Sequence, residues 1–193
     1  KMNEYLNKIL KTTGEDYVIA SDTDSIYLNL GPLVEAVYKG RETTDQSIVS
    51  FLNKVCEVEL EKYITSSYEA LATYVNAYEQ KMIMKRENIA NKGIWTAKKR
   101  YILNVWDSEG VRYEKPKLKI MGIEAVKSST PAACRTSIRD CLTVIMNEDE
   151  ESAQEFIADF KNHFSSLPIE DISFPRGCNN LNKWSHPATI YGK

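Results

Sequence analysis

Tyr17-Val18-Ile19-Ala20-Ser21-Asp22-Thr23-Asp24-Ser25-Ile26-Tyr27-Leu28 reads as a strand, a tight acidic turn and a second strand. The side chains on both flanks are β-branched, aromatic or aliphatic, types that fit a pleated surface. Asp22 and Asp24 stand one residue apart at the reversal. Two carboxylates crowded at a hairpin tip repel each other unless a cation neutralises them. Oxygen ligands at a turn suit Mg²⁺, which takes one or two protein carboxylates and leaves its other positions to water and phosphate oxygens. That is the donor chemistry of two-metal phosphoryl and nucleotidyl transfer. The competing reading is an Asx-type turn with solvated aspartates. Apolar runs reaching up to both carboxylates tip the balance toward the metal.

Upstream, Tyr5, Leu6, Ile9 and Leu10 recur at helical spacing, with Gly14 as the expected stop. Downstream, Gly31-Pro32 breaks the strand. A stripe through Ile48, Phe51, Leu52, Val55 and Leu60 predicts a helix with Asp45 as N-cap. Tyr68, Leu71, Ala72, Val75 and Tyr78 predict a second helix after Thr65-Ser66-Ser67. These positions read as core, covering one face of a mixed or antiparallel sheet in which the hairpin is central. From Lys81 to Ile89 the period becomes that of a strand, and Gly93 separates it from another strand over 94–106. A hairpin with a Gly-containing loop at 107–110 follows, and a further strand over 117–121. Ser129-Thr130-Pro131 opens one amphipathic helix, and Phe156, Ile157, Phe160 and Phe164 mark another.

The chain has 193 residues, 42% hydrophobic and 27% charged, enough for one domain and a small second one. Cys56, Cys134, Cys141 and Cys178, with His163 and His186, show no zinc spacing. Scattered cysteines fit reduced thiols in a cytosolic setting, and no apolar run approaches membrane-spanning length. The net charge of −2 hides a segregation. Residues 81–127 hold 12 Lys/Arg against 5 Asp/Glu, and the remainder 13 against 22. A basic stretch of this kind is the footprint of a nucleic-acid partner, or simply a solvated face. Its most loaded part is Lys98-Lys99-Arg100-Tyr101. On a strand, Lys99 and Tyr101 share one face and Lys98 and Arg100 the other. Cations beside an aromatic ring suit a duplex, meeting phosphates and groove acceptors.

In this order, Ser21-Asp22-Thr23-Asp24-Ser25-Ile26-Tyr27, Trp95-x-Ala-Lys-Lys-Arg-Tyr101 and Gly122-x-Glu124 followed by Ser128-Ser129-Thr130-Pro131 closely resemble family B DNA polymerases of the T-even-phage type. The resemblance implies an α+β fold: an antiparallel palm sheet with two covering helices over residues 1–126, then part of a helical thumb over 127–193. It implies that Asp24 ligates both catalytic Mg²⁺ ions and that Asp22 assists. It also implies that Lys99 and Tyr101 face the primer end in the minor groove, supported by Lys98 and Arg100. The groove offers acceptors at nearly the same place for every base pair, so donors there check pairing shape rather than sequence. Glu87 matches a palm carboxylate near the metals; on its residues alone it is a surface glutamate or a partner of Arg86. The basic residue that many members carry after the junction proline is Ala132 here, with Lys127 and Arg135 as substitutes.

The implied reaction is nucleotidyl transfer from a dNTP to a primer 3′-hydroxyl on primer–template DNA. The motif A aspartate and motif B lysine are not in this sequence, so the chain is expected to need the N-terminal polymerase portion and to be inactive alone. Its uncovered faces are expected to favour self-association, and its setting would be the host cytoplasm. The alternative is a non-catalytic DNA-binding or assembly module that keeps the palm fold.

Overall fold

The computed structural model describes residues 1–177 and is α+β, as expected. Cys178, His186 and the end of the expected thumb portion lie outside the described residues. Helix α1 (Met2–Leu10) leads into the hairpin of β1 (Val18–Asp22) and β2 (Ser25–Leu28), followed by α2 (Gly31–Tyr38). Helices α3 (Asp45–Val55) and α4 (Glu61–Tyr74) come next, then strands β3 (Asn88–Ala97), β4 (Arg100–Ser108) and β5 (Val111–Met121). A short 3₁₀ turn (Glu124–Val126) precedes α5 (Ala132–Asn147), α6 (Glu150–Phe164) and α7 (Ile169–Ile172). The described chain divides into two compact units: Lys1–Asn91 with Asn104–Lys117, and Lys92–Leu103 with the described residues from Leu118 onward.

In the first unit the hairpin is a two-stranded sheet of its own, not the centre of a larger one. At the start of the hairpin the Asn3 side-chain carbonyl of α1 accepts the backbone N–H groups of Tyr17 (2.7 Å) and Val18 (3.0 Å). The apolar face is covered by helices. Leu6, Tyr17 and Leu60 are buried together, and Leu10, Leu28 and Val55 pack against them. Burying each of these large side chains is worth about 1.5–3 kcal/mol. Tyr5 of α1 stacks on Tyr63 of α4 with ring centroids 3.8 Å apart.

The two expected helices are one continuous run. A π-turn, Cys56–Leu60, joins α3 to α4, and Thr65-Ser66-Ser67 does not interrupt it. Thr65 satisfies its hydroxyl on the Glu61 carbonyl at 2.9 Å instead. The N-cap is Thr44, not Asp45, accepting from the Ser47 N–H. Helix α2 was not expected. Pro32 in its first turn and the Asn29 side chain accepting from Gly31 N–H (3.0 Å) start a helix where Gly-Pro suggested only a break. Helix α1 ends at Leu10 on a left-handed Lys11 (φ 56°), before Gly14. The far end of the second stripe is not core: Tyr74 is 87% exposed and Tyr78 fully so.

Strands β3, β4 and β5 form a second antiparallel sheet, in that order, through two-residue turns. Residues 81–87 belong to neither helix nor strand, so the strand begins at Asn88, later than expected. Gly93 does not end it. A Cβ there would lie within 2.9 Å of the Trp95 ring and Leu103, so the glycine admits close packing rather than a turn. Glu109 and Gly110 both take positive φ (51° and 88°), the geometry a tight hairpin prefers. Strand β5 is continuous through Pro116, which an edge strand tolerates. In the second unit α5 packs on α6, α7 and the 3₁₀ turn, with Met146 and Ala153 buried. Asp149 caps α6 by accepting from Ser152 N–H at 2.9 Å.

Candidate catalytic carboxylates and cationic hairpin

Antiparallel pairing of β1 with β2 closes on Asp22 opposite Ser25, leaving Thr23-Asp24 as the turn. Thr23 takes the left-handed conformation (φ 50°) that so short a reversal requires. Asp22 is half-buried and Asp24 exposed. The Thr23 hydroxyl donates to the Asp22 carboxylate (3.1 Å), and the Ser25 hydroxyl donates to the Asp22 carbonyl (3.1 Å). Both aspartates thus sit at the tip, as their spacing predicts. Their hard oxygens suit a divalent cation. Among the described residues no three His, Cys, Asp or Glu side chains come together in a metal-holding group.

Lys98 and Lys99 are not on a strand. They form the turn between β3 and β4, with Lys99 left-handed (φ 62°), and alternation begins only at Arg100. The expected pairing of Lys99 with Tyr101 by strand periodicity therefore does not hold. Lys98, Lys99 and Arg100 are all exposed, a concentrated cationic tip. Behind it the Tyr101 and Trp95 rings meet at 6.2 Å between centroids, tilted by 32°. Thr96 donates its hydroxyl to the Arg100 carbonyl at 3.3 Å.

Glu87 lies exposed just ahead of β3, and its carbonyl accepts from Glu109 N–H at 2.6 Å. Arg86 donates to the Glu87 carbonyl at 3.4 Å. It pairs with Asp107 and donates to the Asn53 side-chain carbonyl at 2.5 Å. Lys127 pairs with Glu124 at 2.6 Å, and this hydrogen bond is the main cause holding the Glu124 carboxyl below its usual range. Arg135 is half-buried in the first turn of α5. Near Lys127 a cleft of about 310 Å³ is lined by Glu124, Lys127, Ser129, Thr130, Phe174 and Arg176. Sequence reasoning passed over Arg176; its only signal was one cation beside Phe174 in a stretch without periodicity.

No family model matches the chain. It is 38% identical over 192 residues to the DNA-directed DNA polymerase of Enterobacteria phage T4 and 40% identical to that of Escherichia phage RB69. Each comparison covers 95% of this chain but 21% of the relative, so the chain spans about a fifth of the length of these polymerases. An α+β chain with paired carboxylates on one hairpin and a cationic turn on another is thus similar, nearly end to end, to one segment of a DNA polymerase.

Proposed function

We propose that this chain is the C-terminal part of the palm, residues 1–126, and the base of the thumb, from residue 127, of a T4-type family B DNA polymerase. The observation that supports this most is the hairpin tip. Asp22 and Asp24 project from a reversal fixed by β1–β2 pairing, inside a chain homologous to a polymerase segment over 95% of its length.

In this reading Asp24 is the principal ligand toward two Mg²⁺ ions, and Asp22 assists from its half-buried position. When bound, such ions activate the primer 3′-hydroxyl and neutralise the triphosphate of the incoming dNTP. Further carboxylates come from the N-terminal polymerase portion, which also supplies the fingers and the rest of the palm. Glu87 is an auxiliary carboxylate. The exposed Lys98, Lys99 and Arg100, with Tyr101 behind them, hold the primer strand through phosphate and minor-groove contacts. Lys127 and Arg135 extend that surface toward the thumb. The setting is the host cytoplasm.

The test is primer extension with dNTPs and Mg²⁺, first with the chain alone and then with a fragment carrying the upstream polymerase motifs. The expected result is extension only on mixing. Asp24→Asn should lower it more than about 100-fold, beyond what removing an outer-shell partner of a metal usually costs. Extension that is indifferent to Asp24 would overturn the catalytic role and favour a DNA-binding module.

A further inference from the structure

Gly122 stands where β5 gives way to the 3₁₀ turn, and its backbone is left-handed (φ 66°). A Cβ built there would collide with the carbonyl oxygen of Lys99 and lie 3.2 Å from Cγ of Arg100 and 3.3 Å from the Lys99 carbonyl carbon. Other glycines with positive φ are different: at Gly14, Gly40 and Gly110 an added Cβ meets nothing within 4 Å. So Gly122 is required twice, by its dihedral and by its neighbour. The neighbour is backbone, which cannot swing aside as the end of a long side chain can. The peptide it touches belongs to the cationic turn, where Lys99 is itself left-handed. A second thread ties the same segments. Arg100 adds to the pull of Lys127 on the Glu124 carboxylate, two residues beyond Gly122.

We infer that Gly122 is a positioning residue for DNA binding: its bare backbone buttresses the Lys98–Lys99–Arg100 turn and fixes where those cations point. The inference rests on the DNA-binding role proposed for that hairpin. A side chain at position 122 would push the Lys99 peptide outward. The cations would remain, but their spacing toward a duplex would no longer be set. Phosphate contacts give affinity only where each cation reaches its phosphate, so loss of placement resembles loss of charge.

The tip offers a readout that needs no DNA, because Lys98, Lys99 and Arg100 are all trypsin sites. The experiment follows limited tryptic cleavage of the full chain by mass spectrometry at these three bonds and at Arg41 as a reference. Gly122→Asn keeps a residue type that tolerates left-handed backbone but fills the space; Gly122→Ala is the smallest filling. Both should speed cleavage at the tip about tenfold with Arg41 unchanged. Gly110→Asn, strained but without a neighbour to strike, should leave the tip rate alone.

The second arm measures binding of a labelled primer–template duplex at low salt. Gly122→Asn should weaken it about tenfold, and less than twofold in a Lys98→Ala/Lys99→Ala background. Tip cleavage that stays unchanged, or rises only in step with Arg41, overturns the inference. An equal affinity loss in both backgrounds also overturns it. Sensitivity to the lysines without sensitivity to Gly122 overturns the inference and leaves the DNA-binding reading standing. If binding ignores both, the DNA-binding reading falls as well.

Discussion

Arg86 and Asp107 face each other as an ion pair with only 10% and 2% of their side chains exposed. The pair is not isolated. Asp107 also accepts Gly110 N–H at 3.0 Å and has Arg112 Nε at 3.7 Å. Arg86 continues to Asn53 at 2.5 Å. One carboxylate thus ties the approach to β3, the β4–β5 turn and helix α3. Removing one partner of a buried pair strands the other charge, at about 3–5 kcal/mol. Asp107→Ala should lose that much in urea unfolding. Asp107→Leu combined with Arg86→Met should lose clearly less, because neither charge is then stranded. Equal losses in the two variants would show that the network is solvated rather than buried.

Lys99 combines a charge with a strained backbone, and the two can be separated. Lys99→Ala in the complete polymerase should weaken primer–template binding by about 1 kcal/mol, roughly fivefold, with little dependence on sequence. The slope of log affinity against log salt should fall by about 1. Lys99→Gly should weaken binding similarly while raising Tm slightly, since glycine adopts positive φ without penalty. Unchanged affinity at low salt for both variants would remove Lys99 from the DNA surface.

Burial lifts the Cys56 thiol from the ordinary 9.0 to about 11; nearby Arg86 opposes the shift and Glu61 and Glu57 assist it. At pH 8 it should carry about a hundredfold less thiolate than an unperturbed thiol, and iodoacetamide should modify it correspondingly slowly. The folded state keeps this proton more tightly than the unfolded chain does. Its contribution to stability is therefore level below about pH 9 and falls as pH rises through about 11. Rapid alkylation at pH 8 in native buffer, followed by mass spectrometry, would contradict the burial.

Leu6 is wholly buried, in contact with Tyr17 and Leu60. Leu6→Ala should cost about 2–5 kcal/mol by the cavity it leaves. Because that cluster backs the acidic hairpin, any metal-dependent activity of the assembled polymerase should also decline. Leu71→Ala, at a site 41% exposed, should cost less than about 1 kcal/mol. Thermal unfolding of the two variants side by side checks the contrast.

The acidic hairpin was legible because alternation and turn chemistry agree there: apolar flanks, a two-residue reversal and carboxylates at the tip. Helices α1, α5 and α6 were legible from their stripes. The sequence was ambiguous where one residue serves either of two geometries. Gly93 reads equally as a break or as room for the Trp95 ring. Lys98-Lys99 carries no turn signature, because Lys99 adopts positive φ without being Gly or Asn. Asn3 holds the Tyr17 and Val18 N–H groups from 14 and 15 residues away, which no local pattern reports. The far stripe through Tyr74 and Tyr78 shows that periodicity marks a face able to be covered, not that anything covers it.

The wide turn at Cys56–Leu60 has a consequence for phase. In an unbroken α-helix, residues 11 apart such as Val49 and Leu60 would point within roughly 20° of each other. One additional residue in a single turn offsets them by about 100°. The run from Asp45 to Tyr74 therefore presents two differently aimed faces, with Leu60 directed onto Leu6 and Tyr17. Deleting a residue between Val55 and Leu60 would act as a twist rather than a shortening. It would carry Leu60 off its cluster, bring a neighbouring glutamate toward it, and pull Glu61 away from the Arg86 N–H that it holds at 3.0 Å.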